Sequence, residues 1–169
     1  MNGAEIMADE IERKFLVRKL PFGWQSFPSD LIQQGYIVHG VPGIEVRVRQ
    51  KGEHFFETVK KGSGEVRPEY EIELSRGQFD VLWPLTADCR LVKRRYRIPW
   101  RNRLVELDVY QDGLAGLVTA DVEFPSRLAC IRFTPSYWLG EDVSRDLRFT
   151  NQNLAKYGMP TGTRLHRVA

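Results

Sequence analysis

Glu10, Glu12 and Lys14 stand at alternate positions near the start of the chain, and they are the first residues whose types and spacing could do chemistry together. Side chains of an extended strand alternate between its two faces, so a strand over 10–17 sets all three on one side. Like charges on one face repel and resist burial, and a metal ion is the simplest cation to hold them. The same spacing recurs as Arg47/Arg49, Lys93/Arg95, Glu106/Asp108 and Asp121/Glu123. Arg suits bidentate phosphate contact and Lys a point-charge contact, while Mg²⁺ commonly takes one or two carboxylates plus substrate phosphates and water. A polyanion with bound divalent cations would meet both halves of this set, and triphosphate fits it well.

The elements that must position these residues read as strands. Gly and Pro punctuate runs of strand length at 10–17, 31–38, 44–50, 54–61, 65–74, 91–98, 104–110 and 118–124, about eight in all. Charged and apolar side chains separate by parity in most of them. Ile44, Val46 and Val48 oppose Glu45, Arg47 and Arg49; Val66, Tyr70, Ile72 and Leu74 oppose Glu65, Arg67, Glu69, Glu71 and Glu73. Val105, Leu107 and Val109 oppose Glu106 and Asp108, and Val118, Ala120, Val122 and Phe124 oppose Asp121 and Glu123. Ser75-Arg76-Gly77-Gln78 has the form of a capping box, predicting a short helix with Phe79, Leu82 and Trp83 on its apolar face and its end at Pro84. Segments 126–133 and 151–157 read as helices, the second stopped by Gly158, with Trp138 and Leu139 as anchors of the tail.

An antiparallel sheet with one solvated face also shows charged alternation. Here, however, Arg and Glu recur with few neutral polar residues, and the signs segregate by strand. If the sheet closed with these faces inward, roughly a dozen ionised groups would line a narrow interior at several kcal/mol each, so the interior must be wet or filled.

The 169 residues suit one domain, a strand core over about 9–125 followed by a helical segment over about 126–169. Cys89 and Cys130 lack partner motifs and read as free thiols of a reducing compartment, which places the protein in the cytoplasm. No apolar stretch approaches the roughly 20 residues that cross a bilayer, so no membrane association is expected. The net charge of +3 comes from 25 basic and 22 acidic residues, so arrangement matters more than the sum. Lys60-Lys61 and Lys93-Arg94-Arg95-Tyr96-Arg97 are split by parity between opposite faces, which argues against nucleic acid as a partner. Gly62-Ser63-Gly64 lacks the spacing of a phosphate loop and reads as a hairpin turn, and His39, His54 and His166 have no ligand spacing.

Glu10-x-Glu12-x-Lys14 resembles the defining motif of the CYTH superfamily of triphosphate tunnel metalloenzymes, in its bacterial inorganic triphosphatase form. The match continues in order through Arg47-x-Arg49, Thr58-Val59-Lys60, Arg67-x-Glu69-x-Glu71, Lys93-x-Arg95-Tyr96, Glu106-Leu107-Asp108-Val109 and Asp121-Val122-Glu123. The resemblance implies a mainly β fold, a closed eight-stranded antiparallel barrel with helices packed outside, that binds a triphosphate-containing small molecule and Mg²⁺ or Mn²⁺. It implies phosphate binding by Lys14, Arg47, Arg49, Lys60, Arg67, Lys93 and Arg95. It implies that Glu10, Glu12, Asp108, Asp121 and Glu123 bind metal or orient the attacking water, with Glu69 and Glu71 as further ligands. Family members are often dimers, which would make this chain a homodimer. Two departures stand out: Asp121 is a methylene shorter than the usual Glu, and where some members carry a Lys on the terminal helix this chain has Gln152 and Asn153, with Lys156 about a turn away.

The activity expected is hydrolysis of inorganic triphosphate by water attacking a phosphorus in line. A class IV adenylyl cyclase would need an adenosine pocket, and a thiamine triphosphatase an aromatic platform such as Trp24, Phe27 or Trp100. A binder of polyphosphate or nucleotides that does no chemistry would keep the basic residues but has no use for the acidic ones.

Overall fold

A computed structural model describes residues 5–7, 11–61 and 69–166. Its strands are β1 (Glu5–Met7), β2 (Ile11–Val17), β3 (Ser29–Val38), β4 (Ile44–Lys51), β5 (His54–Lys61), β6 (Glu69–Leu74), β7 (Arg90–Trp100), β8 (Arg103–Tyr110), β9 (Val118–Phe124) and β10 (Leu139–Asp142). Helices α1 (Arg76–Leu82), α2 (Arg127–Ile131) and α3 (Asn151–Tyr157) are short, and no helix among the described residues is long and apolar enough to cross a membrane.

The strands form one antiparallel sheet in the order β1-β6-β5-β4-β3-β7-β8-β9-β2-β10. It consists of two meanders, β3 to β6 and β7 to β9, joined where β3 pairs with β7. The N-terminal segment then touches both: β1 pairs with β6, and β2 pairs with β9. Met7 and Ile11 are four Cα steps apart, at most about 15 Å, so the two ends of the sheet are tethered close together and the sheet must curl.

Ten strands, two more than expected, make up this sheet, and its ladder is not closed by hydrogen bonds among the described residues. The additional strands are β1 and β10, of three and four residues, too short to show a periodicity and defined by the edges they pair with. The region after 125 is accordingly not purely helical. The stretch 62–68, including Gly62-Ser63-Gly64 and Arg67, lies outside the described residues, as does Glu10.

Most of the apolar core sits on the face opposite the charges, while Leu91 and Tyr110, on the charged face, pack with Leu114, Phe149 and Leu154 at one end. Phe15, Val105, Leu107, Ala120, Val122 and Phe124 form its largest part with Trp24, Trp138 and Leu139, and Phe133 after α2 packs against it. A smaller cluster joins Val48, Phe55 and Leu74 to Phe79 of α1. The Ser75 hydroxyl accepts from the Gln78 backbone while the Gln78 side chain accepts from Ser75 N–H, the expected capping box. Pro84 does not end the chain's helical path, because its fixed φ suits the start of a new turn, and residues Trp83–Thr86 continue as 3-10 helix. That turn lies so close to β3 that a Cβ on Gly35 would come within 2.3 Å of Thr86 Oγ1.

Candidate active site

Burial is the reverse of that in a sheet with a solvated polar face. On β6, Tyr70 and Ile72 are each 40% exposed while Glu69, on the charged side, is 8% exposed. Asp108 and Thr58 are fully buried, and Lys93 and Asp121 nearly so. α1 and α2 pack against strands from the other side, so the curl of the sheet buries these charges together with α3, which closes one end beside Lys93 and Tyr110. Cross-strand register puts Glu12 opposite Glu123 and Lys14 opposite Asp121 on the β2–β9 pair, then Asp121 opposite Glu106 and Asp108 opposite Arg95. On the other meander, Arg47 faces Thr58 and Thr58 faces Glu71, while Lys60 faces Glu69.

One wall of this interior is a linked chain of ion pairs. Arg95 donates through Nε and Nη2 to the two oxygens of Asp108, at 2.6 and 2.7 Å, and through Nη2 to Asp121 Oδ2 at 3.1 Å. It also pairs with Glu106. Lys14 Nζ lies 2.6 Å from Asp121 Oδ1 and Lys93 Nζ 2.5 Å from Asp108 Oδ2. Burial alone would raise the Asp108 pKa, but Arg95 and then Lys93 outweigh it and hold the carboxyl well below the usual range. Burial likewise opposes charge on Lys14, yet Asp121 raises its pKa overall. Lys93 goes the other way: burial, then repulsion from Arg95, lower it to about 8.

The opposing wall pairs its charges more sparsely. Arg49 Nη2 is 2.7 Å from Glu71 Oε2, which also accepts from Thr58 Oγ1 at 2.8 Å. Glu69 takes Lys60 Nζ at 2.5 Å and Arg47 Nη2 at 3.4 Å. Arg47 and Arg49 each keep a buried Nε–H with no acceptor in the protein. Buried donors are rarely left so, and two adjacent guanidinium groups with spare donors suit an anion with several oxygens. Burial and then Arg47 lower the Arg49 pKa, with Arg95 adding repulsion from the facing wall; this mutual repulsion is what an entering anion would relieve.

The structure thus brings Glu12, Lys14, Lys93, Arg95, Asp108, Asp121 and Glu123 together on one wall and Arg47, Arg49, Lys60, Glu69 and Glu71 on the other. Sequence reasoning missed Gln34 and Tyr36, buried on β3 between the basic strands and joined by a 2.8 Å Gln34 Nε2 to Tyr36 Oη bond. Gln152 and Asn153, which the resemblance sets in the place of a lysine on the terminal helix, point elsewhere. Gln152 donates to Val38 O and Asn153 to Leu147 O; the residue that reaches the site is Asn151, whose Oδ1 accepts from Tyr110 Oη at 2.7 Å and lies 3.5 Å from Lys93 Nζ. Of the rest, His54 pairs with Glu73, His166 lies 2.7 Å from Val17 O, and both cysteines are free thiols.

No family model matches the chain. It is 42% identical over 148 residues to an inorganic triphosphatase of Nitrosomonas europaea, covering 86% of this chain and 96% of that protein. It is 33% identical to an inorganic triphosphatase of Acetivibrio thermocellus, covering 89% and 95%. Among solved structures, the crystal structure of an inorganic triphosphatase matches with a TM-score of 0.69 at 39% identity, over 90% of this chain and 97% of that one. A putative adenylate cyclase from Bacillus halodurans shares the fold at a TM-score of 0.52 and 19% identity, over 83% and 98%. Relatives this similar, matched over nearly their whole length, show that the chain belongs to the inorganic triphosphatase family.

Proposed function

We propose that this protein is a tunnel enzyme of the CYTH superfamily that hydrolyses inorganic triphosphate with a divalent metal. The observation that carries the reading is the pair of buried Nε–H donors on Arg47 and Arg49 facing a wall that already holds its own cations in place. Full closure of the sheet into a barrel would complete the enclosure that the tether between β1 and β2 begins.

The donor set fits Mg²⁺ or Mn²⁺. Glu12 and Glu123 lie directly across from one another on β2 and β9 and are both exposed, which places two carboxylates side by side on one rim of the charged face. Two facing carboxylates fit the one or two that Mg²⁺ commonly takes beside substrate phosphates and water. Glu12 and Glu123 would hold the ion, with Glu10, two positions before Glu12, orienting the attacking water as the resemblance implies; the bound ion would neutralise phosphate charge and acidify water.

The chain's own residues then bind and orient. Arg47, Arg49, Lys60 and Lys93, with Arg67 as the resemblance implies, engage the phosphate oxygens, and Lys14 and Arg95 add positive potential from positions fixed by Asp121 and Asp108. Glu69 and Glu71 orient Arg47, Lys60 and Arg49. Water attacks the terminal phosphorus in line as the bridging P–O bond breaks, and the cations stabilise the charge that develops on the equatorial and leaving oxygens. Phosphate and pyrophosphate leave.

The test is a panel of tripolyphosphate, ATP and thiamine triphosphate with Mg²⁺ or Mn²⁺, following both phosphate and cyclic AMP. Phosphate release from tripolyphosphate, abolished in Glu12→Gln and Glu123→Gln proteins that still fold, is the expected result. Cyclic AMP from ATP as the main product would replace this reading with a cyclase.

A further inference from the structure

Away from the charged interior, three stretches cover the outer core: 18–24 between β2 and β3, the turn 100–104 between β7 and β8, and 125–138, which includes α2. Together they carry six Arg or Lys residues and no Asp or Glu. They form one surface. Trp138 O accepts from the backbone N–H of Arg18 and of Lys19, and the Trp138 ring meets Trp100 edge-on at 6.3 Å. Arg103 lies over Phe124, and Phe124 in turn meets Phe133, the residue after Arg132.

Apolar side chains project from this surface instead of sinking into it. Phe22, in the turn before Trp24, is fully exposed, Ile131 is 78% exposed, Tyr137 70% and Leu128 55%. Single exposed apolar residues are ordinary, but several on neighbouring segments mark an interaction site. Arg18, Lys19, Arg101 and Arg132 stand among them, exposed and without an ion pair among the described residues. Of the flanking carboxylates, Glu123 lies across from Glu12 on the charged face, Asp142 pairs with Arg13, and Glu141 acts on Arg148.

A fluid headgroup layer closes around separate projecting side chains while its phosphates meet the cations between them, whereas a rigid partner would need a pocket for each. Crossing a bilayer takes a long apolar helix, which the described residues lack; lying on one does not. We propose that this face binds the surface of an anionic lipid bilayer, with Phe22, Leu128, Ile131 and Tyr137 entering the headgroup layer and the four cations contacting lipid phosphates.

The experiment sediments the purified chain with phosphatidylcholine vesicles, with and without phosphatidylglycerol, and measures the bound fraction. Binding should require phosphatidylglycerol and fade as salt screens it. Phe22→Ser and Ile131→Ser should each weaken it about tenfold, the loss of one apolar side chain from a nonpolar setting. Lys19→Gln and Arg132→Gln should each weaken it about fivefold, the share of one cation near an anionic surface. Arg76→Gln, which removes a cation from α1, should change nothing. All five positions are exposed, so the variants should keep the wild-type denaturation midpoint, which separates lost binding from lost folding. No binding to phosphatidylglycerol vesicles, binding that Phe22→Ser and Ile131→Ser leave unchanged, or an equal loss in Arg76→Gln would each overturn the proposal. A dimer in solution that Phe22→Ser and Ile131→Ser dissociate would also overturn it and give the face to a second copy of the chain.

Discussion

Along β7, β8, β9 and β2, Arg95 alone contacts three carboxylates, and Asp108 offers both of its oxygens to cations at full burial. Along β4, β5 and β6 Arg47 makes only long pairs, at 3.8 Å to Glu45 and 3.4 Å to Glu69, and Arg47 and Arg49 each retain a buried Nε–H with no acceptor in the protein. The same residue types thus do different work. The first wall spends its charges on holding itself in place and ends in the facing acids Glu12 and Glu123. The second holds donors ready for a ligand. On the proposed function, an interior that binds an anion and a cation together would separate framework from reception, so that neither collapses onto the other.

Removing a framework charge should have the largest effect. Asp108→Asn leaves Lys93 and Arg95 short of a buried partner and should cost about 3–5 kcal/mol in urea denaturation. Glu71→Gln, in a part-buried pair with Arg49 where the amide oxygen still accepts from Arg49 or Thr58, should cost less, about 1–2 kcal/mol. Equal costs would erase the distinction between the walls. Next in size, Arg49→Ala should reduce kcat/KM for tripolyphosphate by roughly 10- to 100-fold, mainly through KM, with little change in denaturation midpoint. A normal KM would remove Arg49 from the receiving wall.

The smallest effect concerns Lys93. Its pKa of about 8, set by burial and then by Arg95, means that substrate-free protein loses this charge as pH rises through that value. KM for tripolyphosphate should rise by up to about tenfold per pH unit above it, and Lys93→Arg should flatten the rise. Stability moves in the opposite sense: between about 8 and the usual 10.5 the unfolded chain keeps a proton that the native protein has released, so this residue adds stability as pH climbs through that window.

Parity made the inner face legible wherever that face is charged and its neighbours are aliphatic. On β4 the alternation of Val46 and Val48 with Arg47 and Arg49 identified the wall from sequence, and β8 and β9 did the same. It failed on β3, where Gln33 and Gln34 put the same side chain on both faces and Tyr36 reads as an ordinary strand aromatic. Neutral residues that link charged strands carry no sign to read. Asn151 was illegible for another reason: three consecutive amide side chains on α3 differ only in direction, and the docking of that helix against β7 and β3 chooses among them. Strands β1 and β10 exist because an edge is available, a fact that no short window of sequence contains.

The N-terminal segment's place on both meanders has a consequence for biosynthesis. Lys14 meets Asp121 across 107 positions of chain, so a ribosome delivers the first strand long before its partner is made. Contacts this remote form late and slowly, and the nascent β2 must wait while both meanders assemble. Catalytic competence would therefore arrive in one step at the end of folding, and a half-made chain could not hydrolyse the triphosphate around it.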